Sequence, residues 1–299
     1  MIRYINYNNI DLKKWDSCIQ NSINTNFYAM SWYLDIICEN WDALILNDYE
    51  AVMPLPIKNK FGFKYIYQPF FCQQLGLFYK KKSIDVDQFI NSIPKSFFHF
   101  KFNLNSYNKS SYSIKKNTNY ILYLDKEIEK LRDNYSKSHL KNIKRANKSN
   151  LCIASKPDSV ENFCKNKQHL AYDYMTKKQF DLEYRIIKTS LALGKGEIFS
   201  VKGKKANCCS VFIINDNNKL YLLSSYSNKY GKLNSAYFYL LDYIFSLDKF
   251  KGFVFDFEGS NLKGVAQRNK GFGAIPNYYY TVSQNIFQRC LNFISTKNS

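Results

Sequence analysis

The sequence predicts a mixed α/β fold that is divided into two lobes. The chain has 299 residues, which is long for one small domain and fits two lobes of ordinary size. Its residues are 45% hydrophobic and 17% aromatic, so a sizeable core can be buried. From residue 197 onward, strand patterns joined by short turns precede alternating helix and strand patterns. That order builds a mixed sheet with helices on its faces.

The first half of the chain contains helix and strand patterns of its own. Apolar residues three and four apart from Phe27 to Trp41 predict one amphipathic helix across that span. Residues 59–62 predict a hairpin turn. Pro54 and Pro56 lack amide donors, so they indicate an edge or bulged strand. The other predicted elements are strands over 43–46, 50–57, 63–67 and 98–104, and a short helix over 85–92.

A polar stretch from Asn105 to Asn119 predicts the boundary between a lobe of residues 1–118 and a lobe of residues 119–299. The strand predicted at 278–282 could instead return to pack with the first lobe. The elements predicted before it are a strand over 117–124, a basic helical segment from 126, a strand over 151–154, helices over 158–176 and 180–193, strands over 197–202, 206–215 and 219–226, a helix over 234–247, a strand over 253–258 and a short helix over 262–270.

The balance of charge is strongly basic. Lys and Arg number 43 against 24 Asp and Glu, which gives a net charge of +19. A surface this basic favours polyanionic partners, such as nucleic acid, phosphorylated small molecules or an anionic membrane face. Joint enrichment in Lys, Asn, Ile, Tyr and Phe, all encoded by A/T-rich codons, explains the charge equally well as background composition.

Cysteine and histidine usage indicates free thiols in a reducing compartment. The chain has eight cysteines without a C-x-x-C pair and only three histidines, a pattern that favours neither a metal site nor a disulfide framework. The first 16 residues lack the apolar core of a signal peptide, and no uncharged apolar run approaches the roughly 20 residues that span a bilayer. We therefore expect a cytoplasmic protein with no tightly bound cofactor and at most peripheral membrane contact.

The segment Gly252–Ala274, GFVFDFEGSNLKGVAQRNKGFGA, carries the first candidate site. Its predicted strand ends in Asp256 and Glu258, which are two residues apart and so point to the same side. Carboxyl ends of strands in α/β sheets are where sites collect. The two carboxylates are therefore a candidate general base and its orienting partner. Alternatively, they cap the next helix or pair with nearby cations.

This segment resembles the C-terminal signature of FemAB-type transferases, in which D/N-F-x-G-[VS] is followed by G-V-x-x-F-K-K-G-F-x-A. Here the matching runs are D-F-E-G-S, G-V-A and N-K-G-F-G-A. The order of elements in the second half is similar to the core of the GNAT fold. The resemblance implies two tandem GNAT-like lobes. It also implies transfer of an acyl or aminoacyl group to an amine or hydroxyl, in cell-envelope precursor or metabolite modification.

The resemblance also implies site residues and partners. Lys270 matches the second lysine of K-K-G-F, which implies that it stabilises charge at the reacting ester or at substrate phosphates. Arg268 and Asn269 stand where the family has Phe-Lys, and the long helical hairpin insert of some aminoacyl-tRNA users is absent from the sequence. The implied donor is acyl-CoA, acyl carrier protein or aminoacyl-tRNA. The implied acceptor is a small molecule, a peptide or a sugar.

The loop from Tyr226 to Ser235, YSNKYGKLNS, is the second candidate site. In GNAT enzymes this junction wraps the pyrophosphate of acetyl-CoA with amides at a helix N-terminus. Gly231 fits the central glycine of Q/R-x-x-G-x-G/A, whereas Asn228 and Leu233 replace the flanking positions. The candidate anion ligands are Lys229, Gly231, Lys232, Asn234 and Ser235. The alternative is a plain capped helix.

Two further features are candidates for binding. Lys141 and Arg145 lie in a row of cations at helical spacing, which suits a nucleic-acid backbone, a nucleotide or a lipid headgroup; a solvated helix face is the alternative. His139, within this helix, is expected on the surface. Gln73 and Gln74, in an otherwise apolar stretch, are candidate acceptor ligands, or else polar members of a core strand.

From a different functional class, the chain could be a non-catalytic module that binds RNA or nucleotides on a decayed transferase fold. Retained, salt-sensitive RNA binding without transfer activity would distinguish this module from an enzyme.

Overall fold

The computed structural model describes residues 1–81, 84–170 and 175–285. The chain forms two compact units. Unit 1 contains Met1–Asn117 and the described residues from Tyr278 onward, and unit 2 contains Thr118–Asn277. Each unit has helices and its own part of the β-structure, so the predicted mixed α/β class is confirmed.

The elements of the first part of the chain are, in order, β1 (Ile2–Ile5), α1 (Leu12–Gln20), α2 (Ser31–Ile37), β2 (Asn40–Leu46), β3 (Ala51–Lys60), β4 (Phe63–Ile66), β5 (Phe78–Tyr79), α3 (Val86–Asn91) and β6 (Phe97–Asn103). Short 3₁₀ turns lie at Tyr7–Asn9 and Phe27–Ala29.

The elements that follow are β7 (Ser113–Tyr123), α4 (Ile128–Arg132), α5 (Lys137–Asn147), β8 (Cys152–Ile153), α6 (Val160–His169), α7 (Lys177–Ala192), β9 (Gly196–Lys202), β10 (Asn207–Asp216), β11 (Lys219–Ser227), α8 (Lys229–Leu233), α9 (Ala236–Phe245), β12 (Val254–Asp256), α10 (Lys263–Lys270) and β13 (Ile275–Asn285). The chain enters unit 2 within β7 and leaves it within β13.

In unit 1 the strands lie in the order β1-β2-β3-β4-β6-β13, with β5 paired to β3. The β4–β6 pair is parallel and the others are antiparallel. Aromatic side chains of α3 and β6, among them Phe89, Phe97, Phe100 and Phe102, form much of the buried core.

One predicted helix of unit 1 is wrong. The apolar spacing from Phe27 to Trp41 is divided among a 3₁₀ turn, α2 and the start of β2. Met30 and Cys38 are extended, so the α-helix is confined to the seven residues between them. Both Phe27 and Trp41 are buried. The apolar spacing therefore shows which residues are buried, and both a helix and a turn that leads into a strand can bury residues at this spacing.

The two prolines lie inside β3, which has neighbours on both sides. Pro54 and Pro56 pair with β2 across one edge. On the other edge, β5 pairs only with Ala51 and Val52, and β4 begins only at Ile57. The prolines therefore occupy a gap between two partner strands, where a missing amide breaks no regular ladder. The prediction of an edge strand therefore holds around the two prolines, whereas Ala51, Val52 and Ile57 have partner strands on both sides.

In unit 2 the strands lie in the order β7-β12-β11-β10-β9-β8. The β11–β12 pair is parallel, and the other pairs are antiparallel. The predicted sequence of three strands, a helix and a further strand is confirmed. The helix predicted over 234–247 is confirmed as α9, which begins after Ser235. A separate short helix, α8, precedes it, and the left-handed conformation of Ser235 (φ 59°) separates the two.

Among the residues that the structure describes, no helix is long and apolar enough to cross a membrane. The same residues contain no group of three or more His, Cys, Asp or Glu side chains placed to hold a metal ion.

Candidate functional site in unit 2

An opening forms where β11 and β12 separate. The two strands pair in parallel only between Lys219–Tyr221 and Val254–Asp256. β11 then continues to Ser227, whereas β12 ends at Asp256. The opening therefore lies at the carboxyl ends of a parallel pair, which is the usual position of ligand sites in α/β sheets.

Asp256 lies at the start of this opening and is 1% exposed. Its Oδ1 accepts hydrogen bonds from Asn119 Nδ2 at 2.6 Å and from the amide of Glu258 at 2.9 Å. Its Oδ2 lies 3.1 Å from Lys219 Nζ. Burial alone would lower the pKa of Lys219, but the neighbouring Tyr221 and Asp256 reverse this effect and raise it. The lysine therefore stays charged beside the carboxylate.

Glu258 does not extend the strand as predicted. Its φ of 58° is left-handed, so the rule that places residues i and i+2 on one side of a strand does not apply. The Asp256 carboxylate instead closes a tight turn by accepting the Glu258 amide. The two carboxylates are neighbours in the chain, but they are not a strand-aligned pair.

A cavity of about 250 Å³ lies farther along β11. It is lined by Ser225, Tyr226, Ser227, Gly231, Lys232, Ser235, Tyr237, Phe238 and Arg268. Tyr221 pairs with Asp256, and Ser225 is four residues beyond Tyr221, which corresponds to about 13 Å along a strand. The partner of Asp256, Tyr221, and the cavity residue Ser225 thus mark two positions along β11.

Three buried polar groups at this cavity lack good hydrogen-bond partners. Tyr237 Oη and Arg268 Nε have none among the described residues. Ser227 Oγ has only the thiol of Cys209, a weak partner. Burial raises the pKa of Tyr237 to about 12, although the Arg268 guanidinium acts in the opposite direction, so the phenol keeps its proton. Buried polar atoms in native proteins are nearly always bonded, and three exceptions at one cavity indicate a place for a polar ligand.

The Arg268 guanidinium is held in a fixed position. Its central carbon lies 4.6 Å from the centroid of the Tyr237 ring, in cation–π contact. The backbone carbonyl of Arg268 accepts a hydrogen bond from His139 Nε2 at 2.8 Å. The other ring nitrogen of His139 accepts from the Ser136 hydroxyl at 2.8 Å, which fixes the tautomer. Arg268 is therefore anchored at its main chain, while its side chain faces the cavity.

His139 is 5% exposed, so the expectation that it lies on the surface is wrong. Its ring packs against Phe238 and Phe272. A Cβ added at Gly271 would come within 2.0 Å of the His139 ring, so this glycine is required for the close approach. The N-K-G-F-G-A run therefore packs around the start of α5.

The loop around Gly231 differs from an open phosphate cradle. The Gly231 amide donates to Asn228 Oδ1 at 2.9 Å, as an N-cap bond of α8. A Cβ at Gly231 would meet the carbonyl oxygen of Cys208 at 2.4 Å. The glycine is thus explained by the close packing of α8 on β10, and its amide already has a partner.

Asn234 and Ser235 are also bonded within the protein. The Ser235 hydroxyl donates to Asn142 at 3.0 Å, and Asn234 Oδ1 accepts from the Ser149 hydroxyl at 2.9 Å. These bonds attach α5 to the start of α9. Of the two predicted lysines in this loop, Lys232 borders the cavity, and Lys229 is exposed outside its lining.

The remaining predicted cations are exposed. Lys141 and Arg145 lie on the outer face of α5, whose inner face buries His139, Ile143 and Ala146. Lys270 is exposed in the last turn of α10. Because residues two apart on a helix point in different directions, Lys270 does not share the cavity with Arg268.

Gln73 and Gln74 belong to unit 1. Gln74 Nε2 donates to Gln73 Oε1 at 2.7 Å, and Gln74 Oε1 accepts from the Ser106 amide at 2.9 Å. Gln74 therefore fixes the local backbone. Gln73 Nε2 is buried without a hydrogen-bond partner among the described residues.

Sequence reasoning missed Arg268, Tyr237, Lys219 and His139. The one available signal was the departure of Arg268 from the aromatic residue of the family signature, which placed a cation in an apolar position. Lys219 and His139 gave no local signal, because their partners are distant in sequence.

Comparison with known proteins identifies the fold. No protein-family model matches the chain, and none of the curated proteins is similar to it in sequence. FemX is 10% identical over 93% of this chain and 96% of its own, with a TM-score of 0.64. A tandem GNAT protein from the clavulanic acid biosynthesis pathway is 8% identical over 96% and 99% of the two chains, with a TM-score of 0.55. The chain shares their fold.

A third structure with this fold is the C-terminal domain of a putative lysylphosphatidylglycerol synthetase from Agrobacterium fabrum. It is 7% identical over 96% of both chains, with a TM-score of 0.58. At such low identity the likeness confirms the predicted tandem GNAT-like fold and leaves the reaction to be argued from the site.

Proposed function

We propose that this chain is an acyltransferase or aminoacyltransferase that binds an anionic group of its donor in the unit 2 cavity. The observation that carries the proposal is the set of unbonded polar atoms at that cavity, above all Arg268 Nε and Tyr237 Oη. Arg268 and Lys232 supply positive charge, and the Tyr237 and Ser227 hydroxyls supply donors. These groups suit a phosphate or pyrophosphate, which acyl-CoA, acyl carrier protein and aminoacyl-tRNA all carry.

The reacting carbonyl would reach Asp256 through the opening where β11 and β12 separate, because Asp256 pairs with Tyr221 and lies on the sheet face opposite to Leu220 and the cavity. In this proposal an amine or hydroxyl of the acceptor attacks the thioester or ester directly, without a covalent enzyme intermediate. The carbonyl–sulfur or carbonyl–oxygen bond of the donor then breaks, and the donor leaves as a thiol or hydroxyl that takes up a proton. Asp256 accepts the proton of the attacking group or orients Glu258 to do so, and Lys219 holds Asp256 in place through its ion pair with Oδ2. Positioning of donor and acceptor supplies much of the rate enhancement.

The proposal is tested by calorimetric titration with acetyl-CoA, a longer acyl-CoA and bulk charged tRNA at physiological salt. We expect Arg268→Gln to weaken binding of the donor by about 10- to 100-fold, the usual value of a lost hydrogen bond to a charged group. Lys263→Gln, an exposed cation on the same helix outside the cavity lining, is the matched control. Equal affinities of wild type and Arg268→Gln would contradict this placement of the donor.

The hypotheses that Lys270 or Arg268 serves catalysis lead to different predictions. If Lys270 stabilises charge in the transition state, as the resemblance implies, Lys270→Ala abolishes transfer while donor binding persists. If Arg268 alone serves the donor, Lys270→Ala keeps its turnover. Single-turnover assays of both variants separate the two roles, and unimpaired turnover in Lys270→Ala removes Lys270 from the site.

A second function, non-catalytic polyanion binding, is favoured by one observation. The loop groups that would contact a donor phosphate in a GNAT enzyme are already bonded, Gly231 to Asn228 and Ser235 to Asn142. In that case the exposed basic face of α5 would bind RNA without transfer. Salt-dependent RNA binding that is lost in Lys141→Gln/Arg145→Gln, together with no donor binding, would support this alternative.

A further inference from the structure

The hairpin between β3 and β4, residues 58–64, exposes aromatic side chains at its tip. Phe61 is 89% exposed and Phe63 is 59% exposed. Phe98, on the neighbouring strand β6, is 41% exposed, and its ring centroid lies 5.2 Å from that of Phe63. Single exposed apolar residues are ordinary, but an adjacent group of three phenylalanines is an apolar patch. We call residues 58–64 the Phe61 hairpin.

The backbone at the tip disfavours the residue that occupies it. Lys60 pairs with Phe63, so Phe61 and Gly62 form a two-residue turn. Both have positive φ, 51° and 81°, as a type I′ hairpin turn requires. Glycine, asparagine and aspartate suit the first of these positions, and a bulky aromatic side chain does not. Phe61 is therefore in a strained backbone conformation, and the burial of its side chain does not offset that strain. This combination indicates that the residue serves a function other than stabilising the fold.

Lysines surround the aromatic tip. Lys60 Nζ lies 5.5 Å from the Phe61 ring centroid, and Lys58 and Lys64 follow on the two strands. None of these three lysines takes part in an ion pair among the described residues. Lys58 and Lys64 border a polar cavity that also contains Glu39 and Asp42, so the charge is mixed at the base of the hairpin and positive at the tip.

We propose that the Phe61 hairpin binds the surface of an anionic phospholipid bilayer. Exposed phenylalanines with adjacent lysines are the combination that inserts shallowly at the boundary of headgroups and acyl chains while the cations contact lipid phosphates. Single-stranded RNA also binds lysines and aromatic rings, but through rings that form a stacking platform. The Phe63 and Phe98 rings are tilted by 48° and are not stacked in parallel, and the Phe61 ring contacts no other aromatic ring among the described residues, so the arrangement favours a membrane.

The test uses the full chain and co-sedimentation with vesicles. One set of vesicles contains equal parts of phosphatidylglycerol and phosphatidylcholine, and the other contains phosphatidylcholine alone. We expect binding to the first set and little to the second. We expect Phe61→Asn/Phe63→Thr to reduce partitioning about tenfold or more, because two apolar side chains no longer insert. Asparagine suits the turn and threonine suits the strand, so this variant should fold.

The controls separate insertion from charge and from general hydrophobicity. Ile114→Thr removes another exposed apolar residue of unit 1, which is 60% exposed, and should bind as wild type. Lys60→Gln/Lys64→Gln should weaken binding and reduce its dependence on salt. Tryptophan fluorescence of Phe61→Trp should shift to shorter wavelength with anionic vesicles.

Several results would overturn the proposal. They are absence of vesicle binding by the wild type, equal binding by Phe61→Asn/Phe63→Thr, or an unshifted Phe61→Trp emission. Binding of polyuridylate that is lost in Phe61→Asn/Phe63→Thr, without vesicle binding, would assign the hairpin to RNA. Donor binding in unit 2 is measured separately, so failure of either proposal leaves the other intact.

Discussion

The buried polar groups on the two sides of β11 differ in their hydrogen bonding. Toward α6 and α7, the Ser224 hydroxyl bonds to the Lys167–Glu183 ion pair, and the Tyr226 hydroxyl bonds to Asp158. Toward α9 and α10, the cavity groups Tyr237 and Arg268 retain unbonded polar atoms. Glu183 Oε2 is the exception on the first face, since it has no hydrogen-bond partner among the described residues. We call the face toward α6 and α7 the closed face and the face toward α9 and α10 the open face. The difference indicates that the closed face fixes the two helices, whereas the open face is suited to a ligand.

A β-bulge on β11 produces this arrangement. Ile213 pairs with Leu222 and Phe212 pairs with Ser224, so Leu223 is an extra residue on β11. The alternation of side chains reverses there. Leu220 and Leu222 pack in the core with α9, and beyond the bulge it is Ser225 and Ser227 that face the cavity. One extra residue therefore directs two serines to the open face.

The largest effect on stability is expected from removing the Lys167–Glu183 ion pair of the closed face. Lys167→Ala leaves the fully buried Glu183 carboxylate without its cation, and we expect the free energy of unfolding to fall by about 3–5 kcal/mol. Urea unfolding measures this loss. In the double variant Lys167→Met/Glu183→Leu no charge is buried, and much of the stability should return. A Lys167→Ala variant as stable as wild type would show that the pair does not fix α6 and α7.

A matched pair of substitutions compares the two faces directly. Tyr226→Phe removes a hydroxyl that bonds to Asp158, and we expect it to cost about 1–3 kcal/mol, because the carboxylate loses a buried donor. Tyr237→Phe makes the same chemical change to a hydroxyl without a partner. We expect it to leave stability unchanged or to raise it by up to about 1 kcal/mol, and to weaken donor binding. Equal losses of stability would remove the distinction between the faces.

Much of the fold could be predicted from the sequence, because strand and helix patterns from residue 197 onward are local. The turn at Phe61 and Gly62 was predicted for the same reason, as residues 59–62. The bulge at Leu223 could not be predicted, since it depends on which residues of β10 pair with β11. The prediction of one helix from Phe27 to Trp41 was wrong because residues buried at helical spacing need not form a helix.

For the candidate site, the sequence predicted the region of the chain better than the side chains that line the cavity. The segment from Asp256 to Phe272 does border the opening and the cavity, yet Arg268, a departure from the family signature, faces the cavity instead of Lys270. Gly231 and Gly271 are explained by the close approach of Cys208 and His139, contacts that cross long stretches of chain. A motif therefore locates the region, and long-range packing decides which side chain reaches it.

The smallest expected effect is the response of the open face to pH. Burial lowers the pKa of His139, whose ring holds the carbonyl of Arg268. The unfolded chain, with an ordinary histidine pKa of about 6.5, then binds a proton before the folded protein does. Stability from this group is complete above that pH and is lost as the pH falls toward the lower pKa of the folded state.

Melting temperatures measured from neutral to mildly acidic pH should therefore fall more steeply for wild type than for His139→Gln. Glutamine can donate to the Arg268 carbonyl but does not titrate. It also loses the ring contacts with Phe238 and Phe272, so its melting temperature should be lower at every pH, and the test compares the slopes. Tyr226→Phe removes a hydroxyl that bonds to Asp158 and leaves His139 in place, so it should keep the slope of wild type in this range. If His139→Gln and wild type fall in parallel, proton uptake by His139 does not contribute to acid unfolding, and the anchoring of Arg268 is insensitive to pH.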